Sequence, residues 1–360
     1  MNKTLLASLM AMGIAGMAHA QTNVTIYGTV DTGFIKESGS DVRMGSNDDS
    51  LIGVRGTEEL GSGVKATFQL ERRFDLNNGV KFSGNNALDI LQGADPNGEN
   101  GVEWQGAANV GLQSESMGAI RLGRVNDIAI ENFGDIDPFA VTGVGSALVG
   151  YNILYSEQLA NTVRYDSPTW AGFGINLSYT LGQDTHGSQN WYHNNGNDGF
   201  GIGMKYDGGA LMLTANYDRL ADSDNSWLWN IGGAYTYEGF TVSAGYQDTT
   251  IKRAAASILL DNYGMEIGQK DWLIGLQYNT GPHTVKFSYN RGELESHGDY
   301  DGKVNKYAVG YTYDLSKRTS LYAMASYTDS DNEAVGEIYN SNGVADDSVT
   351  GVQIGITHNF

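Results

Sequence analysis

The sequence contains no cysteine and only 4 proline residues among 360. Without cysteine the chain forms no disulfide bond, offers no thiol nucleophile and supplies no thiolate ligand to a metal. After residue 20 no apolar stretch approaches about 18 residues, which excludes a helical membrane protein. Basic residues are also scarce: 22 Lys and Arg stand against 42 Asp and Glu, giving a formal charge of −20. We expect no nucleic-acid partner, no metal and no other cofactor.

Glycine and tyrosine are abundant, with 49 and 21 residues. Together they are typical of crowded strands and of side chains at a polar–apolar interface. The mean hydropathy is −0.33, yet this value does not exclude a membrane protein, because a transmembrane barrel hides a polar lumen behind a thin apolar band. An exported protein of this length without disulfides needs another source of stability, such as one large hydrogen-bonded sheet.

The first twenty residues have the pattern of a cleaved signal peptide. Lys3 precedes the apolar run LLASLMAMGIAGMA, and the small residues of AHA follow at 18–20. An N-terminal membrane anchor is the alternative, but an apolar run of 14 residues is too short to span a bilayer. We predict that residues 1–20 are removed on export and that residues 21–360 form one domain.

Apolar side chains recur at every second position along the rest of the chain. In FGINLSYTL, residues 173–181, every odd position is apolar, whereas the even positions carry Gly, Asn, Ser and Thr. The C-terminal GVQIGITHNF follows the same pattern up to Phe360. The alternation predicts sixteen strands, near 23–36, 50–58, 64–75, 103–114, 118–125, 160–167, 173–183, 199–207, 210–220, 228–238, 240–250, 270–280, 283–295, 303–315, 319–329 and 349–360.

The connections between these strands alternate in length. Turns such as LGSG, EG and TGP are tight, whereas long polar stretches separate the hairpins. Strands with one apolar face must pair on both edges in lipid, so we predict an all-β, antiparallel, 16-stranded transmembrane barrel with short periplasmic turns and long external loops. A large soluble β-sandwich or β-propeller is the alternative, but it does not explain why one face of each strand is apolar and nearly uncharged.

Several segments resemble the general diffusion porins of Gram-negative outer membranes, in particular the beta-proteobacterial type. These segments are VTIYGTVDTGF near the start, SLIGVRGTEELGSGVKATFQLE at 50–71, GAIRLGRVND at 118–127, NTVRYDSP at 161–168 and the final GITHNF. The resemblance implies a homotrimer in the cell outer membrane, in contact with lipid and lipopolysaccharide. It also implies that residues 126–159 fold into the barrel as a third loop and that residues 76–102 latch onto a neighbouring subunit. Phe360 corresponds to the C-terminal signal that the barrel assembly machinery reads.

Charged residues in the inward phase of the strands are candidates for a pore constriction. Arg124 shares its phase with the outward Leu122, but the porin pattern places an arginine after this LG in the pore. The basic wall is predicted to comprise Arg55, Arg73, Arg121, Arg124 and Arg164, and the acidic loop residues opposite it are predicted to be Asp127, Glu131, Asp135 and Asp137. Opposed charges across a narrow opening would orient dipolar solutes and set a barrier to ions. The alternative is that these residues form ordinary ion pairs that only anchor the loop.

The function expected from this pattern is passive diffusion of ions and small hydrophilic solutes, without catalysis. Two other functions stay open: an adhesin or surface-binding barrel, because the external loops are long and acidic, and an outer-membrane hydrolase. The hydrolase is disfavoured because Ser178 and Ser288 fall in the inward phase and no Ser/His/acid set stands out. The net charge favours a preference for cations, although a basic wall would act in the other direction.

Overall fold

The structure is a computed structural model, and it describes most of the chain from Asn23 onwards. The predicted signal peptide lies outside the described residues, as do residues 80–102 of the candidate latch and residues 147–157 of the candidate inward loop. The described residues are 23–79, 103–146, 158–182, 197–221, 224–252, 266–296, 301–339 and 346–360.

The described chain forms one antiparallel sheet of 17 strands and two short helices. The helices are α1, Ile128–Gly134, and α2, Glu333–Tyr339. Neither described helix is long and apolar enough to cross a membrane. The strands are β1 Asn23–Glu37, β2 Arg43–Gly45, β3 Ser50–Gly61, β4 Val64–Phe74, β5 Ala108–Ser114, β6 Gly118–Asn126, β7 Gln158–Asp166, β8 Phe173–Thr180, β9 Gly199–Asp207, β10 Leu211–Arg219, β11 Trp227–Tyr237, β12 Phe240–Ile251, β13 Ile267–Thr280, β14 His283–Glu295, β15 Gly302–Asp314, β16 Thr319–Ser330 and β17 Ser348–Asn359.

The sheet closes on itself because β1 pairs with the last strand, from Thr29 opposite Asn359 to Glu37 opposite Gly351. The other edge of β1 pairs first with β3 and then with the three-residue β2. Since β2 only extends the edge that β3 begins, sixteen long strands close the barrel, and the predicted fold is confirmed. Phe360 completes the seam: its N–H donates to the Gly28 carbonyl at 3.0 Å, and its own carbonyl accepts from Gly28 at 3.2 Å.

Side chains alternate between an apolar outside and a polar inside. Ile26, Ile231 and Ile354 are 64%, 52% and 52% exposed on the outer face, whereas Gln247 and Asn290 are buried on the inner face. The short connections, from two residues at 62–63 to six at 167–172, lie at the end of the barrel where both β1 begins and β17 ends. This is the layout expected when apolar strands cross a bilayer and the lumen stays polar.

The structure differs from the predicted strands mainly at 103–107. The strand predicted for 103–114 begins only at Ala108. Side chains bind the backbone just before it: the Gln105 carbonyl accepts from Arg124, and the Ala107 N–H donates to Glu71 Oε2 at 2.9 Å. Strand periodicity also gave no indication of β2, α1 or α2, because these elements are short and lie in polar connections.

Candidate functional site: the inward loop and the charged wall

The loop that follows β6 enters the barrel through α1. Asp127 begins the helix, and its Oδ1 accepts a hydrogen bond from the Ile130 N–H at 2.9 Å. Asn132 then donates to Asn216 on the inner face of β10 at 2.8 Å. Ile128 and Phe133 are buried against the wall. The helix therefore packs on the inside of β8 to β11.

After α1 the described loop runs along the inner wall of the barrel, where it packs on glycines of the wall strands. A Cβ at Gly245 would lie 2.6 Å from both Phe133 Cζ and Ile136 Cδ1, so only glycine admits the loop this closely. The Val144 N–H finally donates to Gln353 Oε1 of β17 at 3.0 Å. The same close approach occurs at Gly232 for Ile136, at Gly275 for Pro138, at Gly310 for Phe139 and at Gly351 for Val144.

Arg164 is the most enclosed member of the predicted basic wall, with only 1% of its surface exposed. Its guanidinium binds Glu131 of α1 through two hydrogen bonds, at 2.8 and 3.1 Å, and Asp166 at 2.9 Å. It also donates to the Asn126 carbonyl at 2.9 Å. Arg121 stands opposite Arg164 in the register of β6 and β7 and pairs with the same Asp166. Arg164 thus joins the wall to the start of the loop.

Arg55 and Arg73 lie on the inner faces of β3 and β4. Arg55 is exposed and stands over the Tyr27 ring, with its guanidinium carbon 4.7 Å from the ring centroid. Arg73 pairs with Asp49 at 2.7 Å. Of the two, Arg55 is the arginine that presents its charge to open space.

Arg124 lies at an irregularity in the pairing of β6 with β7. The pairing register shifts between Gly123 and Val125, and Gly123 has a φ of +129°, which favours glycine. Strict alternation would point Arg124 outwards, yet its side chain is buried at this irregularity. The side chain is 6% exposed and donates to the Gln105 carbonyl through Nε at 3.2 Å and Nη2 at 3.1 Å.

The four acidic residues of the loop do not form one cluster opposite the arginines. Glu131 meets Arg164, whereas Asp135 pairs with Lys205 of β9. Asp137 accepts from the N–H groups of Phe139 and Val141 at 3.0 Å each and turns the loop on itself. Asp127 caps α1 and is fully buried. The structure therefore brings one of the four acids to the predicted basic wall.

Known proteins share this fold. The family description "Gram-negative porin" matches residues 6–333. The chain belongs to the Gram-negative porin family. Over the full length of both chains it is 31% identical to an outer membrane porin protein of Bordetella pertussis and 29% identical to outer membrane porin protein 32 of Delftia acidovorans. An anion-selective porin from Comamonas acidovorans has a similar structure, with a TM-score of 0.74 and 24% identity, over 94% of this chain and all of that one.

These findings place the porin in the outer membrane. Its apolar outer face is the surface that contacts lipid, and its polar inner face lines the lumen. Porins are channels, which favours transport over the hydrolase and adhesin alternatives.

The porin keeps an open cavity of about 660 Å³ on the side of the lumen that the described loop leaves uncovered. It lies along the inner faces of β1 and β3 to β7, near the short-turn end. Most of the residues that line it are polar or charged, among them Arg55, Gln69, Gln113, Arg121 and Asp166. A cavity of this chemistry holds water rather than an apolar ligand.

Three lysines near the loop were missed by the sequence analysis. Lys205 pairs with Asp135, and Asp137 interacts electrostatically with Lys286 of β14 and Lys306 of β15. Each lysine precedes an aromatic residue of the outer face, so the strand alternation would have placed all three inside. Their partners could not be predicted, because these depend on the path of the loop.

A side chain at Gly245 is expected to dislodge the loop from the wall. In Gly245→Val the new atoms would overlap Phe133 and Ile136, at a cost of about 1–3 kcal/mol from overpacking. We expect a noisier channel current and a lower unfolding temperature in detergent. Gly174→Val is the matched control, because a Cβ there meets no atom within 4 Å. Equal behaviour of the two variants would contradict close packing of the loop.

Proposed function

We propose that this porin is a water-filled channel for passive diffusion of ions and small hydrophilic solutes, narrowed by its third loop. The observation that carries the proposal is the position of residues 126–146, which follow one half of the inner wall and leave a polar cavity along the other half. Solutes would pass between the loop and the arginines of β3 to β7. Permeation in this mechanism needs no bound intermediate.

The charges around the opening support a transverse field as part of this proposal. Arg55 and Arg121 contribute positive charge from the wall, and Glu131 and Asp135 contribute negative charge from the loop. Water and dipolar solutes align with such a field, which is strongest where the opening is narrow and little screened. Arg164, Arg124 and Asp127 are buried, so we assign them to holding the loop and the wall rather than to direct contact with solutes.

We propose a preference for cations, because acidic residues outnumber basic residues 42 to 22 over the whole chain. Much of this charge lies in external loops, where salt screens it over about 8–10 Å, so the preference should be modest and should weaken as the salt concentration rises. The Comamonas porin, described as anion-selective, shares the fold. Under this proposal the same fold would carry a different ion preference in the two proteins.

The further partners belong to the same proposal. We propose a homotrimer, with residues 76–102 as the latch between subunits, lipid and lipopolysaccharide around its outer face, and the barrel assembly machinery as a partner during biogenesis through Phe360. Phe360 is 42% exposed at the short-turn rim, which supports its access to such a partner.

Planar-bilayer recording in a salt gradient tests the proposal. Purified protein should insert with stable currents that close in three equal steps, and the reversal potential should have the sign of cation preference. A protein that inserts but carries no current would overturn channel function. A reversal potential of the opposite sign would overturn only the selectivity.

A further inference from the structure

Two buried carboxyl groups line one small cavity at the root of the inward loop. Asp127 is 0% and Asp218 3% exposed. Both line a small cavity of about 10 Å³, together with Thr180, Phe200 and Leu220. This volume is at the lower limit for one water molecule. The two carboxyl groups are therefore removed from the water of the lumen.

The hydrogen bonds of this pair are incomplete within the described residues. The Ala129 N–H faces both carboxyl groups, yet Asp127 Oδ2 and both carboxyl oxygens of Asp218 lack a well-aligned hydrogen-bond partner. The Ser178 hydroxyl, 7% exposed, also lacks one, and a Cβ at Gly201 would collide with Ser178 Oγ and Asp218 Oδ1 together. Buried acceptors without donors are costly, so this site needs a donor.

The surrounding charges do not neutralise two carboxylates. Arg164 is the cation that acts on both, and it is already bound to Glu131 and Asp166. Arg121 contributes a second positive charge, but it pairs with Asp166, which Arg164 also binds. The charges of the two arginines are therefore balanced by Glu131 and Asp166.

Arg219 also lines the cavity, but its guanidinium turns away from the pair. It stands over the Phe200 ring, 5.4 Å from the centroid, and donates to the Asp198 carbonyl. No other cation acts on Asp127 or Asp218 among the described residues.

Burial raises the pKa of Asp127 to about 7, although the N–H groups of Ile130 and Ala129 and the charge of Arg164 act in the opposite direction. Two adjacent buried carboxyl groups cannot both ionise at low cost. The Ser178 hydroxyl and the Ala129 N–H can serve at most two of the three unpaired oxygens, so we assign the missing donor to a proton that one carboxyl group retains.

We propose that Asp127 and Asp218 share a proton at neutral pH, and that this O–H···O hydrogen bond fastens the root of the inward loop to β10. The expected effect on the channel current rests on the proposed function, in which the loop narrows the pore. Raising the pH removes the proton and leaves two repelling carboxylates, so docking of the loop weakens as pH rises through the pKa of the pair. Lowering the pH keeps the loop docked.

Infrared spectroscopy of the folded protein in detergent tests the shared proton directly. Wild type should show the carbonyl band of a protonated, buried carboxyl group at neutral pH. Asp218→Asn should lose this band, because its amide can donate to an ionised Asp127. Asp207→Asn, which changes an exposed carboxylate on the neighbouring β9, should retain it. A wild-type spectrum without this band, or a band that survives in Asp218→Asn, would overturn the proposal.

Bilayer recording then tests the link to the loop. Between about pH 6 and about pH 9 the open-channel current noise of wild type and Asp207→Asn should rise, whereas that of Asp218→Asn should stay constant. A steady wild-type current without this response would overturn the inference and leave channel function intact. Absence of current at every pH would overturn the proposed function instead. A response to EDTA rather than pH would assign the pair to a metal ion and refute the shared proton. If Asp218→Asn does not fold, the infrared and bilayer measurements are made on Asp127→Asn instead, with the same expected results.

Discussion

Arg164→Ala is expected to raise the single-channel conductance and to shift the reversal potential towards cations. The substitution removes one positive charge from the wall and breaks the contacts of Arg164 with Glu131 and Asp166, at 2.8 and 2.9 Å. Glu131 then loses its cation, whereas Asp166 keeps its ion pair with Arg121, so the main effect falls on the loop. Since Glu131 lies on α1, the helix should move, and the opening should widen as it becomes more negative. Bilayer recording in a salt gradient measures both effects.

Two further variants separate the charge of Arg164 from its role as an anchor. Arg164→Lys keeps the charge but loses the paired hydrogen bonds to Glu131, so it should retain most of the ion preference while increasing current noise. Arg55→Ala removes an exposed charge that holds no part of the loop. It should shift the reversal potential with little added noise. An Arg164→Ala channel with unchanged conductance and reversal potential would refute both roles.

The strand framework could be predicted because the same physical constraint acts on every strand. Lipid on one side and water on the other impose a period of two, and that pattern located β8 and β14 to within three residues at each end. Local departures from the strand pattern could not be predicted where a side chain, rather than a neighbouring strand, binds the backbone. Gln105 precedes β5 outside the strand because its carbonyl binds Arg124, a contact across 19 residues that no local pattern contains.

The inward orientation of the charged side chains could also be predicted from the sequence, but their ion-pair partners could not. Strand phase alone places Arg164 and Lys205 inside the barrel. Which acid each of them meets depends on the path of the loop, and that path depends on glycines of distant strands, such as Gly245 and Gly310. Asp135 therefore binds Lys205 although the sequence suggested the arginine wall.

The barrel seam is held by a buried carboxylate that the sequence analysis did not identify. Asp31 of β1 is 0% exposed and accepts from the Tyr322 hydroxyl of β16 at 2.8 Å and from the Asn47 N–H at 2.6 Å. The Thr357 hydroxyl of β17 is its third donor. One side chain thus joins the first strand, the last two strands and the first loop at the point where the barrel closes.

Asp31→Ala is expected to lower the stability of the barrel more than any change to an exposed acid. One buried and two half-buried donors lose their acceptor, and an unsatisfied buried group costs about 1–3 kcal/mol. The unfolding midpoint in urea and detergent should fall sharply, and the folded band on unheated gels should disappear at a lower temperature. Asp31→Asn keeps an acceptor oxygen and should lie between this variant and wild type. Asp314→Ala, which removes an exposed acceptor of the Ser320 hydroxyl near the short-turn end, should change little. Equal midpoints for Asp31→Ala and Asp314→Ala would contradict the argument that the seam depends on Asp31.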